Sequence, residues 1–149
     1  MSSGTWVNDA EAALAAAGHR RGGARRALLE LLDRETCALT AVEIEETLRR
    51  GGSRRVSRAS VYRILDELES LSLLKRVETG QSMVRYERVG SGGEHHHHLV
   101  CDACGVVIPF SDPALERAID GLTERVGMTV SEHEVVLHGA CAECDPASG

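Results

Sequence analysis

The sequence predicts an α+β protein of two small domains, and three observations support this. Apolar residues recur first at helical spacing and then in short alternating runs, the order of helices followed by a hairpin. A glycine-rich stretch at 90–93 is the best linker candidate. The charge changes there: residues 1–89 carry 15 Lys and Arg against 13 Asp and Glu, and residues 90–149 carry 2 against 10. We therefore expect domains at 1–89 and 94–149, joined by a hinge at 90–93.

The first three helices are predicted from composition, apolar spacing and capping residues. An alanine-rich segment at 6–17 predicts one helix, and residues 25–33 predict a second whose apolar face carries three leucines. Thr40, with Glu43 three residues later, forms a capping box for a third helix, which runs to about Arg50.

The fourth helix and the segments after it complete the first domain. This helix begins at Ser57 or Ser60. One apolar face follows the spacing i, i+3, i+4, i+7 and i+10 and consists of Val61, Ile64, Leu65, Leu68 and Leu71. Strand-like runs at 73–77 and 83–89 then form a hairpin. Helices, a short turn, another helix and a hairpin are the order of a winged helix-turn-helix.

The sequence pattern of the second domain predicts a small α/β unit. Residues 106–110 predict a strand, and Asp112 followed by Pro113 predicts the start of a helix that ends at Gly127. The alternation at 128–137 predicts another strand. A unit of about 55 residues is close to the size at which a bound metal becomes useful for stability.

Two CxxC pairs predict a zinc site, formed by Cys101, Cys104, Cys141 and Cys144. Each short turn aims two sulfurs at one point, which suits closed tetrahedral coordination. Two unmetallated thiol pairs or a redox switch are the alternatives. The chain shows no apolar stretch long enough for a membrane span and no secretory signal, so we expect a reduced, cytoplasmic protein without a membrane partner.

Four consecutive histidines precede the first CxxC pair and supply more imidazole than a four-cysteine site can use. In an extended segment, successive side chains point to opposite faces. His96 and His98 therefore share one face, and His95 and His97 share the other. Two further metal sites, back to back, are possible, unless some of these rings are merely solvated.

Arginines concentrate in the first domain. Residues 19–63 carry 11 arginines against 6 acidic residues, although the whole chain has a net charge of −6. A local basic patch can bind nucleic acid despite an acidic average, because exposed charges are screened beyond roughly 10 Å. An ordinary solvated surface is the alternative reading.

Together these motifs resemble the ferric uptake regulator family of bacterial metal-sensing repressors. The segment Ser60-Val61-Tyr62-Arg63 is similar to the family's recognition-helix motif. The family's central metal motif is matched by the segment His96-x-His98-Leu99-x-Cys101-x-x-Cys104-Gly105, followed by Ile108-x-Phe110. Glu116, His133 and Cys141 follow at the family's spacing. The resemblance implies a homodimer, with an N-terminal winged helix-turn-helix that reads a palindromic operator in double-stranded DNA, and a C-terminal dimerisation domain.

The resemblance also divides the ligands among three sites. It implies structural Zn(II) at the four cysteines and regulatory Fe(II) or Zn(II) at Glu87, His96 and His98. The remaining regulatory ligand would come from the DNA-binding half, and Cys37 is the tentative candidate. His95, His97, Glu116 and His133 match an auxiliary site. Sets of this kind also bind Mn(II) and Co(II).

The sequence departs from the family pattern in ways that leave the sensed metal open. His97 stands where a carboxylate is common. Cys37 lies near the position of an expected histidine, and a thiolate there would favour zinc; a small cysteine without a metal role is the alternative. Before Arg25 the chain has Gly22-Gly23-Ala24 in place of a capping threonine.

Carried over to DNA, the motif assigns Tyr62 and Arg63 to base or phosphate contacts, with Ser60 at the helix start. An arginine in the major groove can bond guanine bidentately. The other basic side chains would bind phosphate without reading sequence: Arg20, Arg21, Arg25, Arg54, Arg55 and Arg58.

We therefore expect a metal-responsive repressor that is not an enzyme. A peroxide sensor, which would oxidise its own histidine ligand, and a manganese- or nickel-sensing member are alternatives within the family. A metal hydrolase is the alternative outside it, because open two-histidine, one-carboxylate sites can activate water. No nucleophile motif or additional general base accompanies the histidines, which counts against hydrolysis.

Overall fold

A computed structural model describes residues 4–35, 37–52, 56–80, 83–89 and 95–145. The chain divides into two compact units, Met1–Gly93 and Glu94–Gly149. The predicted hinge at 90–93 lies outside the described residues.

The N-terminal unit is a winged helix-turn-helix, as the sequence predicts. Its described elements are α1 (Thr5–Ala16), α2 (Gly23–Arg34), β1 (Leu39–Thr40), α3 (Ala41–Arg50), α4 (Arg58–Ser70), β2 (Leu74–Glu78) and β3 (Val84–Arg88). The strands form an antiparallel sheet in the order β1-β3-β2. Strand β1 was not predicted, because two residues paired with Tyr86 and Arg85 leave no periodic signal.

Side-chain caps fix where the two helices of the turn motif begin. The Thr40 hydroxyl accepts a hydrogen bond from the Glu43 N–H at 3.1 Å, and the Glu43 carboxylate accepts one from the Thr40 N–H at 2.8 Å. The predicted capping box is therefore confirmed. The Ser57 hydroxyl accepts from the Ser60 N–H at 3.1 Å, so Ser57 is the cap and α4 begins at Arg58.

One aliphatic core holds the N-terminal unit together. On α4 the predicted face is buried from Val61 to Leu68, and Leu71 is half-buried. The same core includes buried leucines of α2, at positions 28, 29, 31 and 32, and Ile44 of α3. Burial of this face points the opposite side of α4 toward solvent.

The C-terminal unit has a three-stranded sheet and one long helix among its described residues. The elements are β4 (His97–Cys101), β5 (Val107–Phe110), α5 (Pro113–Val126) and β6 (Val136–Gly139). Strand β4 is central, antiparallel to β5 and parallel to β6. Asp112 caps α5 by accepting from the Ala114 and Leu115 N–H groups at 2.7 and 3.1 Å.

The predicted strand at 128–137 is wrong over most of its length. Only Val136–Gly139 is a strand, and the chain from 128 to 135 has none. Alternation is a local signal, whereas a strand needs a partner, and pairing with β4 begins at Val136 opposite His98. No described helix is long and apolar enough to span a bilayer.

Candidate metal centres and nucleic-acid interface

The parallel pairing of β4 with β6 brings the two CxxC pairs together. Cys101 ends β4 opposite Gly139, and Cys141 follows β6 after a single residue. The four sulfurs of Cys101, Cys104, Cys141 and Cys144 lie within 4.8 Å of one another. Four sulfurs about 2.3 Å from a tetrahedral zinc ion are about 3.8 Å apart. The Cys104 and Cys141 sulfurs are separated by 3.8 Å, so the donor set fits zinc.

The pKa values of two of these thiols also favour the binding of a cation. The N–H groups of Cys104 and Cys141 lower the pKa of Cys101 to about 6, and the Cys141 N–H lies 3.3 Å from its sulfur. The hydrogen bond with Cys141 raises the pKa of Cys144 to about 12. One thiolate therefore forms easily while a neighbour resists ionisation, and a divalent cation removes that conflict by ligating both.

A second donor cluster combines three histidines with one carboxylate. Donor atoms of His95, His97, Glu116 and His133 lie within 4.8 Å of one another. The His97 Nε2 is 2.6 Å from Glu116 Oε1, and the His133 Nε2 is 2.8 Å from Glu116 Oε2. The His95 Nε2 is 2.9 Å from that of His133. The hydrogen bond from His97 is the main cause that lowers the pKa of Glu116.

The other two histidines of the run form a separate pair. The ring centroids of His96 and His98 are 5.0 Å apart, and His98 is fully buried. In the N-terminal unit, Glu87 lies on β3, is buried, and pairs with Lys75 at 2.7 Å. Cys37 is half-buried in the bend before β1. Imidazole and carboxylate donors of these types suit Fe(II), Zn(II) or Mn(II).

The exposed side of α4 carries the candidate DNA-reading residues. Tyr62 is 44% exposed, and Arg63 beside it is also exposed. Both lie off the apolar face that Val61 and Ile64 bury. Ser60 is half-buried, and its hydroxyl is 3.0 Å from that of Ser57. This surface can present an aromatic ring and a guanidinium to a DNA groove.

Two of the predicted phosphate contacts bind carboxylates within the protein. Arg25 is half-buried and donates to Glu67 and to the Arg20 carbonyl. The Arg58 Nε donates to Glu45 at 2.7 Å. Sequence reasoning missed both carboxylates, because neither pair leaves a local signal. Arg20 and Arg21 are exposed, and Arg54 and Arg55 lie outside the described residues.

Glu45 joins the two helices of the turn motif. Its carboxylate is buried on α3 and accepts from Arg49, one turn later, at 2.7 Å as well as from Arg58 at the start of α4. The hydrogen bond from Arg58 is the main cause that lowers the pKa of Glu45. The carboxylate therefore stays ionised and holds two exposed guanidinium groups in place.

Comparisons with known proteins agree with this architecture. The profile of the Ferric uptake regulator family matches residues 16–138. The chain is 30% identical over 125 residues to the Ferric uptake regulation protein of Neisseria gonorrhoeae, covering 82% of this chain and 83% of that protein.

Two solved structures extend the similarity to the fold. The Helicobacter pylori ferric uptake regulator, with three functional metal binding sites, matches at 27% identity and a TM-score of 0.85, covering 97% of this chain and 94% of that one. The Pseudomonas aeruginosa ferric uptake regulator with manganese matches at 26% identity and a TM-score of 0.69, covering 88% and 96%.

Proposed function

Because the chain belongs to the ferric uptake regulator family, we propose that it is a homodimeric repressor that binds its operator when metal occupies a regulatory site. Because the members of this family are transcription regulators, membership agrees with the expectation that the chain is not an enzyme. The observation that carries the proposal is the exposed Tyr62–Arg63 surface of α4, in a chain that also holds clustered metal donors. We place the protein in the cytoplasm, because its operator DNA lies there and thiols stay reduced there.

The proposed regulatory ligands are Glu87, His96 and His98, with Cys37 as the tentative fourth. The support is the pairing of the two histidine rings, 5.0 Å apart, and the matching positions in the family motif. Fe(II) or Zn(II) is the proposed corepressor. Manganese is a second candidate, because the Pseudomonas aeruginosa relative was solved with that metal.

Structural zinc is proposed at the four cysteines. The sulfur separation of 3.8 Å between Cys104 and Cys141 supports this assignment, because it equals the value that tetrahedral Zn–S bonds require. Zinc at this position would tie the end of β4 to the segment that follows β6. The auxiliary metal is proposed at the cluster around Glu116.

Dimerisation is proposed through the C-terminal unit. Helix α5 has no buried side chain. The unit exposes eight large apolar residues: Leu99, Val106, Ile108, Leu122, Val126, Met128, Val130 and Leu137. Apolar surface at this density marks protein interaction sites. Two recognition helices held by such a dimer would meet operator half-sites about one helical turn apart, as a palindrome requires.

Operator binding with defined metals tests the proposal. Operator fragments would be selected from genomic DNA, and affinity measured anaerobically by fluorescence anisotropy with Fe(II), Zn(II) or Mn(II). The correct metal should raise affinity by about 5- to 150-fold, because coupling between two sites is commonly of that size. About one zinc ion per chain should survive dialysis. An affinity unchanged by chelating the exchangeable metal would refute metal-dependent repression.

Two variants identify the DNA-reading surface in the same assay. Arg63→Ala should weaken operator binding by about tenfold or more and relax base preference, because an arginine that reads a base contributes both. Arg125→Ala removes an equal charge near the end of α5 and should leave affinity unchanged. Equal losses in both variants would contradict a reading role for α4.

Peroxide sensing remains the second candidate and has its own measurement. Exposure of the Fe(II)-loaded protein to peroxide would add mass to His96 or His98 in a peroxide sensor. If the peptides that contain His96 and His98 stay unmodified, and the protein still releases its metal on chelation, the result would support repression by metal alone.

A further inference from the structure

We propose that Glu45 is a positioning residue that holds Arg49 and Arg58 together as a clamp for a phosphate group of the DNA backbone. The proposal rests on DNA binding through α4 in the proposed function. It adds a phosphate contact from α3, Arg49, and a buried residue that acts through both arginines without touching DNA.

One carboxylate orders both guanidinium groups. Glu45 Oε1 accepts a hydrogen bond from Arg49 Nη2 at 2.7 Å, and Glu45 Oε2 accepts one from Arg58 Nε at 2.7 Å. The two arginines belong to different helices and converge on this carboxylate. The Glu45 side chain is 7% exposed, whereas those of Arg49 and Arg58 are 60% and 59% exposed. The carboxylate therefore lies beneath two guanidinium groups that face solvent.

Each guanidinium group keeps donors for a second anion. A guanidinium has five N–H donors in a planar fork, and each arginine uses one nitrogen on Glu45. Neither Arg49 nor Arg58 donates a further hydrogen bond to any residue that the structure describes. Two positive charges and one negative charge leave the cluster cationic. Forks of this kind bind phosphate oxygens in pairs, so the exposed side of the cluster suits a phosphate group.

The clamp lies beside the candidate DNA-reading surface. Arg58 and Tyr62 are four residues apart on α4, so they share one face of the helix. Arg58 is also in the first turn of α4, which contains no acidic residue. The positive end of a helix dipole favours an anion there and disfavours a bare cation. Glu45 offsets this repulsion in the free protein and leaves the exposed donors of Arg58 to a phosphate.

Exposure distinguishes this cluster from the other arginine–carboxylate pair of the N-terminal unit that was predicted to contact phosphate. Arg25 binds Glu67, but its side chain is only 13% exposed, and it also donates to the Arg20 carbonyl. That pair connects α2 with α4 and offers little surface to DNA. The guanidinium group of Arg58 has the opposite arrangement, with its partner buried and its own donors accessible.

The salt dependence of DNA binding tests the two arginines in the full-length, zinc-loaded protein. Arg49→Ala and Arg58→Ala should each flatten the slope of log affinity against log salt by about 1 per bound protomer. Each should also weaken operator DNA and a duplex of unrelated sequence by the same factor, because phosphate contacts do not read bases. Arg125→Ala, on α5, should leave the slope unchanged. An unchanged slope in Arg49→Ala or Arg58→Ala would overturn the clamp.

Glu45→Gln separates positioning from charge. Loss of a negative charge by itself strengthens binding to DNA, and Glu46→Gln measures that effect at the exposed neighbouring position. A glutamine amide has one oxygen and can hold one guanidinium group. Glu45→Gln should therefore bind DNA about 2- to 10-fold more weakly than Glu46→Gln, because a released arginine must be ordered on binding. Its salt slope should match that of the wild type, since both cations remain. Equal or tighter binding by Glu45→Gln would overturn the proposal.

A purely structural role for Glu45 predicts a different result in a second background. In protein that already carries Arg49→Ala and Arg58→Ala, Glu45→Gln releases no guanidinium group and should not weaken DNA binding further. A further loss there would assign the effect to folding and overturn the proposal; stoichiometric titration gives the active fraction of each variant. The proposed function is tested by the metal dependence of operator binding, whereas the duplex of unrelated sequence contains no operator. Either can therefore fail while the other holds.

Discussion

The two units of the chain differ in what fills their interiors. In the N-terminal unit, 18 buried hydrophobic residues from Trp6 to Tyr86 form one cluster. Among the described residues of the C-terminal unit, the buried side chains are His97, His98, Val100 and Cys101. Three of these four can donate to a metal. The N-terminal unit is therefore stabilised by apolar burial, whereas we expect the C-terminal unit to gain folding free energy from a bound cation and a partner surface.

Their helices show the same contrast. Helix α2 buries four leucines, while α5 is two residues longer and buries no side chain. A helix of that length gains most of its stability in proteins from packing an apolar face. The exposed apolar residues of α5 therefore need a second surface. Metal or partner loss should affect one unit and core mutation the other.

Removal of the structural metal should give the largest difference between the units. Cys101→Ser should lose zinc and unfold the C-terminal unit, because structural zinc sites contribute about 10–16 kcal/mol of apparent binding free energy. Hydrogen exchange should show unprotected amides in β4 and β6 and protected ones in α4. Cys37→Ser, which alters a cysteine outside the cluster, should retain the zinc. A folded, zinc-free Cys101→Ser dimer would contradict this view of the C-terminal unit.

Truncation of a core side chain should destabilise the N-terminal unit and leave the C-terminal unit unchanged. Leu65 is 0% exposed at the centre of the N-terminal cluster. Leu65→Ala should lower the free energy of unfolding of that unit by about 2–5 kcal/mol through lost burial and a residual cavity. Val42→Ala, at a position 38% exposed, should cost less than about 0.5 kcal/mol. Chemical denaturation measures both, and zinc content should stay constant. Zinc loss in Leu65→Ala would show that the units are not independent.

A charge on α5 tests the partner surface. Leu122 is 46% exposed, and Leu122→Asp should raise the dimer dissociation constant about tenfold or more, because a buried unpaired carboxylate is costly. Sedimentation equilibrium measures the effect. Met83→Asp places the same charge at a residue 44% exposed in the N-terminal unit and should not alter association. A dimer equally stable in both variants would move the interface away from α5.

Features set by neighbouring residues were predictable from the sequence. Thr40 and Glu43 mark the start of α3 because a capping box is complete within four residues. The CxxC pairs indicate convergent sulfurs, since each turn spans only two intervening residues. The winged-helix order follows from helical spacing together with two strand-like runs, and the exposed face of α4 follows from helical spacing.

Features set by distant residues were not predictable. The alternation at 128–137 does not reveal where the chain reaches β4, so most of the predicted strand is wrong. Arg25 and Glu67 are 42 positions apart, and Val135 and His97 are 38 apart. Tertiary contacts therefore decide which arginines bind carboxylates and which backbone group contacts the His97 ring. Residue identity alone leaves both open.

The smallest expected effect concerns Glu45, a buried carboxylate on α3 that contacts Arg58 at the start of α4. Its arginine partners are 60% and 59% exposed, so solvent weakens both ion pairs. Glu45→Gln should lower the melting temperature by a few degrees at pH 7. Glu46→Gln, at the exposed neighbouring position, should have no such effect.

The pH dependence distinguishes the charge of Glu45 from its packing. Contact with Arg58 lowers the pKa of Glu45 below its ordinary value of 4.5, so the folded state binds this proton less readily than the unfolded state. The stabilisation is therefore fully present above pH 4.5 and is lost as pH falls through the lowered pKa. Melting curves of wild type and Glu45→Gln should converge in acid. A difference that persists there would assign the effect to side-chain packing, and the charge of Glu45 would then contribute nothing to stability.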